Sequence, residues 1–244
     1  MSFTPTALVS TSASAWRHTL HGRLVTAGLL ALAVIPVSAG IYRLVQLVTG
    51  ATITPKNERF FDSPVPVVVH IVSITGYSIF AVFQFLPRLR RKHPGWHRVA
   101  GRVLALLGVG VALSGLWMTL FYKLPEHDSD LLNVVRVFVA AGMVTALVLG
   151  LRSIRRRDVP AHRAWMIRAY ALGMGAGTQA VTNIGYLLAT GEQPGTGWRT
   201  FLMILAWGIN VVIAEYIIRR NRPRSRRHPL PPRPASRPAP VLTD

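Results

Sequence analysis

The stretch Pro87-Arg88-Leu89-Arg90-Arg91-Lys92-His93-Pro94-Gly95-Trp96-His97-Arg98-Val99-Ala100-Gly101-Arg102 lies between two long apolar runs. Hydrocarbon does not accept so many arginines, so this elbow must sit in water or among lipid headgroups while its flanks cross the membrane. A second elbow, Arg152-Ser153-Ile154-Arg155-Arg156-Arg157-Asp158-Val159-Pro160-Ala161-His162-Arg163-Ala164-Trp165-Met166-Ile167-Arg168, follows after one outer loop. The bias of basic residues toward the inner face places both elbows in the cytoplasm.

Composition agrees with a membrane protein. Of 244 residues, 50% are hydrophobic and 15% charged, and the mean hydropathy is +0.35. Several apolar runs of roughly 20 residues are each long enough to cross a hydrocarbon core of about 30 Å. The formal charge of +19 is concentrated in the elbows and tails. Membrane orientation and attraction to anionic headgroups account for it, so no nucleic-acid partner is expected. The absence of cysteine removes disulfides, thiolate nucleophiles and cysteine-ligated clusters, leaving His, Tyr, Met and carboxylates for any metal or redox chemistry.

The pattern predicts an all-α polytopic bundle of six spans with both termini cytoplasmic: a lead-in over 1–23, a transmembrane domain over 24–218, and a disordered Arg/Pro-rich tail over 219–244. The spans fall at about 24–48, 67–86, 99–122, 131–151, 165–189 and 201–218. The first half of span one, with a basic flank and Val37-Ser38-Ala39, also fits a cleaved signal peptide. Apolar character resumes through Leu47, which favours a retained helix.

Span two carries a polar stripe of His70, Ser73, Tyr77 and Gln84 at helical spacing, and span five carries Arg168, Gly175, Gln179, Thr182, Asn183 and Tyr186 on one side. Because the two spans run antiparallel, the stripes are expected to face each other, either as a hydrogen-bond ladder or as a cavity wall. Span three repeats Gly101, Ala105, Gly108, Ala112, Gly115 and Thr119 in steps of four and three. That seam suits close helix packing or a flat ligand. Arg136, near the outer end of span four, needs a partner, for which Glu126, Asp128 and Asp130 are at hand, or else an anionic ligand. Glu215 lies one turn before Arg219, a spacing that favours an ion pair within one helix.

His97 and His162 begin two parallel spans at matched depth, an arrangement that admits an axial pair on a b-type haem. The bland alternative is that His97, Arg98, His162 and Arg163 anchor headgroups. The spacing of two histidines four turns apart on one helix is missing, because position 84 is Gln, 111 is Val and 176 is Ala. His97-Arg98 with Arg102 and His162-Arg163 with Arg168 also hint at a two-helix unit used twice.

In Phe83-Gln84-Phe85-Leu86-Pro87-Arg88, the elbow motif His93 to Arg102, and His162 to Leu172, the chain resembles a bacterial family of predicted membrane proteins, domain of unknown function 2306. The likeness covers roughly spans two to five. It implies a polytopic membrane protein with His70, Gln84, His97, Arg98, Gly101, Arg102, His162, Arg163, Met166 and Arg168 at motif positions, and supplies no activity.

Together these readings lead to a multi-pass protein of the bacterial plasma membrane, not expected to be an enzyme. It would bind a small molecule or cofactor in a polar cavity between spans two, three and five, with His70, Tyr77, Gln84, Arg136, Gln179, Asn183 and Tyr186 as cavity residues. The alternatives are electron transfer through a haem on His97 and His162, a small-molecule transporter, or a scaffold acting through its tail.

Overall fold

Proline sits in the first turn of four helices, where its missing N–H costs nothing. These are α3 (Pro64–Gln84), α4 (Pro87–Lys92), α5 (Pro94–Phe121) and α7 (Val159–Gly173) in a computed structural model of the chain. The structure describes the backbone of residues 7–221 and the side chains of residues 23–221. The remaining helices are α1 (Ala7–Thr49), α2 (Glu58–Asp62), α6 (Asp130–Arg155), α8 (Gly175–Thr190) and α9 (Thr196–Arg220). Most of the tail expected to be disordered, 222–244, lies outside the described residues, as does the start of the lead-in. Within the lead-in, helix begins at Ala7, and at the other end α9 continues through Arg220.

Five segments are long and apolar enough to cross a membrane: residues 23–49 of α1, and α3, α5, α6 and α9. The protein is an integral membrane protein by this measure. Its outer surface carries large apolar side chains such as Phe80, Leu106, Phe138 and Leu188, while small residues such as Ala112, Ala146, Ala169 and Ala206 are buried between helices. That inversion of size is what close helix contact in lipid requires.

The fifth expected crossing, 165–189, is not one helix. It breaks at Met174 between α7 and α8. Met174 N donates to Tyr170 O, and the ladder restarts with Gly177 N on Met174 O. The Ala171 carbonyl, whose helical donor would be the N–H of residue 175, instead accepts from Asn210 Nδ2 of α9 at 3.1 Å. A neighbouring helix thus satisfies the freed backbone, the condition for tolerating a break at membrane depth. The glycines around the break admit close neighbours. A Cβ on Gly173 would lie 2.9 Å from the Tyr77 ring, one on Gly175 would lie 2.0 Å from Trp207 Nε1, and one on Gly177 would lie 2.5 Å from the Leu32 carbonyl oxygen.

In the packing order, α3 lies against α5 and α1, α6 against α5 and α7, and α9 against α7 and α8. Helix α1 also reaches α8. Span two therefore meets the α7 half of span five, and α1 takes the place beside α8 that the facing-stripe expectation gave to span two.

Candidate functional site

The end of the bundle away from the elbows is laced by polar contacts between loops. Asn57 is buried and ties its own loop, accepting from Thr54 N at 2.6 Å and donating to Thr52 O at 3.0 Å. Tyr122 Oη donates to Ser63 O, and Lys123 pairs with Glu58 at 3.0 Å. The side chain of Asp128 is fully buried, and it receives Arg136 at 2.6 Å and Arg199 at 2.7 Å. Burial pushes its carboxyl up, but the hydrogen bonds and charges of Arg199 and Arg136 outweigh that and hold it below its ordinary value. Arg136 also donates to Asn133 Oδ1 at 2.9 Å. Of the acidic partners proposed for Arg136 in sequence, Asp128 makes the contact.

Beneath this lacework lies a cavity of about 350 Å³, within the range of small-ligand sites. Arg59, Lys123, Asp128 and Arg136 line its mouth. Its wall continues through Met118, Thr119, Val139, Met143, Leu172, Gln179 and Trp207 to His70. His70 Nδ1 lies 3.0 Å from Ser114 Oγ and 3.2 Å from Val111 O. Ser114 Oγ spends its own hydrogen on Gly110 O, so both neighbours act as acceptors and Nδ1 carries the ring hydrogen. Nε2 is then the ring atom left for another partner. Span three meets this ring through Gly115, where a Cβ would lie 3.3 Å from His70 Cε1. The small-residue seam thus has two uses. Gly108 receives Tyr77 and Leu147 in the packed part, whereas Ala112, Gly115 and Thr119 border the cavity.

The broken span contributes directly, since Gly173 and Ala176, on either side of Met174, both line the cavity. A second, smaller recess of about 270 Å³ lies between α6, α7 and α9. There Arg168 meets Glu215 through two hydrogen bonds, Nε to Oε1 at 2.6 Å and Nη2 to Oε2 at 3.1 Å, and stacks over Trp165 at 4.5 Å. Glu215, matched in sequence with Arg219, makes this two-point contact across helices with Arg168.

The profile of the family described as Predicted membrane protein (DUF2306) matches residues 67–218, from α3 into α9. The chain belongs to this family. No curated protein and no solved structure gives a significant match. The DUF2306 region contains nearly the whole cavity wall, while Arg59 and Phe60 at the mouth precede it.

Of the cavity residues expected in this DUF2306 chain, the structure brings His70, Arg136 and Gln179 together. Tyr77 instead lies in the packed core, 4% exposed and 6.0 Å from the Tyr170 ring. Gln84 is two turns further toward the elbows, beside Gly101, with both amide atoms buried and unbonded to protein. Asn183 donates to Gln179 O on its own helix, and Tyr186 stacks on Trp198 at 5.7 Å, so the outer half of span five turns to α9. His97 Nδ1 is buried without a hydrogen-bond partner in the protein, and His162 Nδ1 donates to Gly150 O at 2.8 Å. Neither lines the two cavities described. Arg98, Arg102 and Arg163 are exposed at the elbows. Sequence reading missed Arg59, Asn210 and Trp207. The first sits in the short helix α2 between two spans, and the other two are single residues in an apolar span whose use depends on where the neighbouring helix breaks.

Proposed function

We propose that the protein is a six-span plasma-membrane protein, with its elbows and both termini in the cytoplasm, that binds a small molecule entering the cavity around His70 from the opposite side. The α7–α8 pair counts as the sixth crossing because it begins at the second elbow and ends at the loop before α9. The concentration of arginine at the elbow end supports the orientation. The observation that carries the function is the interrupted helix in the cavity wall. Discontinuous helices at a midplane cavity are the common build of membrane transporters, so translocation is the use the geometry supports best.

The native chain contains no cysteine, so single cysteines can be introduced without other changes. In right-side-out vesicles, Ala176→Cys is expected to react with a membrane-impermeant methanethiosulfonate, whereas Arg91→Cys in the first elbow reacts only in inverted vesicles. Protection of Ala176→Cys from the outside, or labelling of Arg91→Cys there, refutes the reading.

One observation favours a second reading, a b-type haem on His97 and His162. The Nδ1 bond of His162 to Gly150 O is how a metal-binding imidazole is held with Nε2 presented. A reduced-minus-oxidised visible spectrum of protein purified from haem-replete cells tests it, and a colourless preparation discards it.

A further inference from the structure

Resting on the cavity reading above, we propose that the ligand is a small organic anion, an acid group joined to a compact apolar body, with the acid held at the Arg59 end. The charge around the mouth is unbalanced. Asp128 is the one carboxylate in the lining and is already shared by two guanidiniums, Arg136 and Arg199. Glu58 is matched by Lys123, which Asp62 also favours at longer range. Arg59 has no carboxylate at ion-pair distance among the described residues. Its Nη1 donates to the Lys123 carbonyl at 3.3 Å, and its guanidinium lies 4.7 Å from the Phe60 ring centre. That ring is shared with Arg43 at 4.3 Å.

A half-buried guanidinium that hydrogen-bonds a carbonyl, shares its ring with Arg43, and feels Asp128 only at longer range and against the repulsion of Arg43 and Arg136 retains unused donors and a poorly neutralised charge. An anion would satisfy both, and Arg presents a fork suited to carboxylate or phosphate. Further in, Met118, Val139, Met143, Leu172 and Trp207 offer only apolar surface or, from the indole, a donor. His70 adds one acceptor position. A cation finds no free carboxylate along this path, and a neutral ligand leaves Arg59 as it is.

The test places Thr119→Cys on the cavity wall and Thr52→Cys on the exposed outer loop in phosphatidylcholine nanodiscs. Each is titrated with an anionic sulfonatoethyl and a cationic trimethylammonioethyl methanethiosulfonate. The anionic-to-cationic rate ratio at 119 is expected to exceed that at 52 by about tenfold, the scale on which a charged cleft concentrates its counter-ion. Arg59→Gln should abolish the excess and Arg59→Lys should retain much of it. Octanoate added in water, or phosphatidylglycerol built into the nanodisc, should then slow modification at 119. The first result assigns a soluble acid and the second a lipid headgroup.

A ratio equal to or below the control overturns the anion assignment while leaving the cavity intact. An excess that neither octanoate nor phosphatidylglycerol attenuates also overturns it, as an electropositive mouth without a site. No reaction at 119 with either reagent removes the cavity reading itself, and the inference with it.

Discussion

Gly177→Ala tests whether α1 belongs to the bundle. A Cβ at 177 would lie 2.5 Å from the Leu32 backbone oxygen and 2.7 Å from its Cγ. A carbonyl inside a helix cannot swing aside, so α1 and α8 must separate by roughly 0.5–1 Å, a gap that forfeits about a quarter to a half of the dispersion attraction at the contact. Overpacking of this kind costs about 1–3 kcal/mol. Against it stands the helix preference for Ala over Gly, about 0.8–1.0 kcal/mol. Gly185, on the same helix, has nothing within 4 Å of its Cβ position, so Gly185→Ala gains the preference without the clash. Both substitutions gain the same preference, so the two variants should differ by the clash alone, about 1–3 kcal/mol. At roughly 2–4 °C per kcal/mol, this is a gap of several degrees. Thermal unfolding followed by tryptophan fluorescence in detergent reads it, with mass spectrometry confirming that the segment bearing Leu32 is retained. Gly177→Ala as stable as Gly185→Ala in the full-length chain refutes the α1–α8 contact.

Asp128→Asn leaves Arg136 and Arg199 without their shared carboxylate, and because these two side chains are 23% and 34% exposed, it should destabilise the protein by about 1.5–3 kcal/mol, seen as a lowered Tm. Because the folded Asp128 carboxyl titrates below its unfolded value of about 3.9, its contribution is complete above that pH. It is lost as pH falls through the folded value, so an acid scan should lose stability below about pH 4 in the native chain and less in Asp128→Asn. Asn210→Leu leaves the Ala171 carbonyl without its donor and should cost about 1–3 kcal/mol, read by the same unfolding assay. Arg168→Lys keeps the charge but loses the fork onto Glu215. With both side chains near 30% exposed, a loss of about 1 kcal/mol is expected, below the roughly 1.5–3 kcal/mol of bonds to fully buried charged groups because solvent screens the pair.

The arginine-rich elbows and the apolar lengths between them were enough to read an all-helical membrane protein and the approximate places of its five long apolar helices, because desolvating arginine is so costly that its placement tolerates few alternatives. The short helices α2 and α4 have no such signal. Helical periodicity also found His70, Arg136 and Gln179. It failed for Asn183 and Tyr186 because a stripe was projected along a straight span, and the bend at Met174 directs the second half toward α9. It failed for Tyr77 because a buried tyrosine and a cavity tyrosine occupy the same helical face and differ only in what the neighbour brings. Here that neighbour is Gly108 on one side and Gly173 on the other. Arg59 was passed over because it lies between spans one and two, outside the apolar runs in which a polar residue stands out. That no carboxylate comes within ion-pair distance of it depends on Lys123 having taken Glu58 and on Arg136 and Arg199 having taken Asp128.

The break in span five and the cavity have one physical origin. Gly173, Gly175 and Gly177 each omit a Cβ that would strike a different helix: α3 through Tyr77, α9 through Trp207 and α1 through Leu32. Three neighbours thus converge on about one turn, and a glycine-rich turn is also where helical preference is weakest. On the elbow side, α7 is fastened to α3 by Tyr170 Oη on Ser78 O at 3.1 Å and to α9 by the Arg168–Glu215 fork. On the far side, α8 is held by weaker hydroxyl and amide contacts to α9, such as Thr182 Oγ1 on Leu202 O at 3.4 Å and Gln179 Nε2 on Met203 O at 3.4 Å. Asn210 bridges the two halves of the broken span, its Nδ2 donating to Ala171 O and its Oδ1 accepting from Thr178 Oγ1.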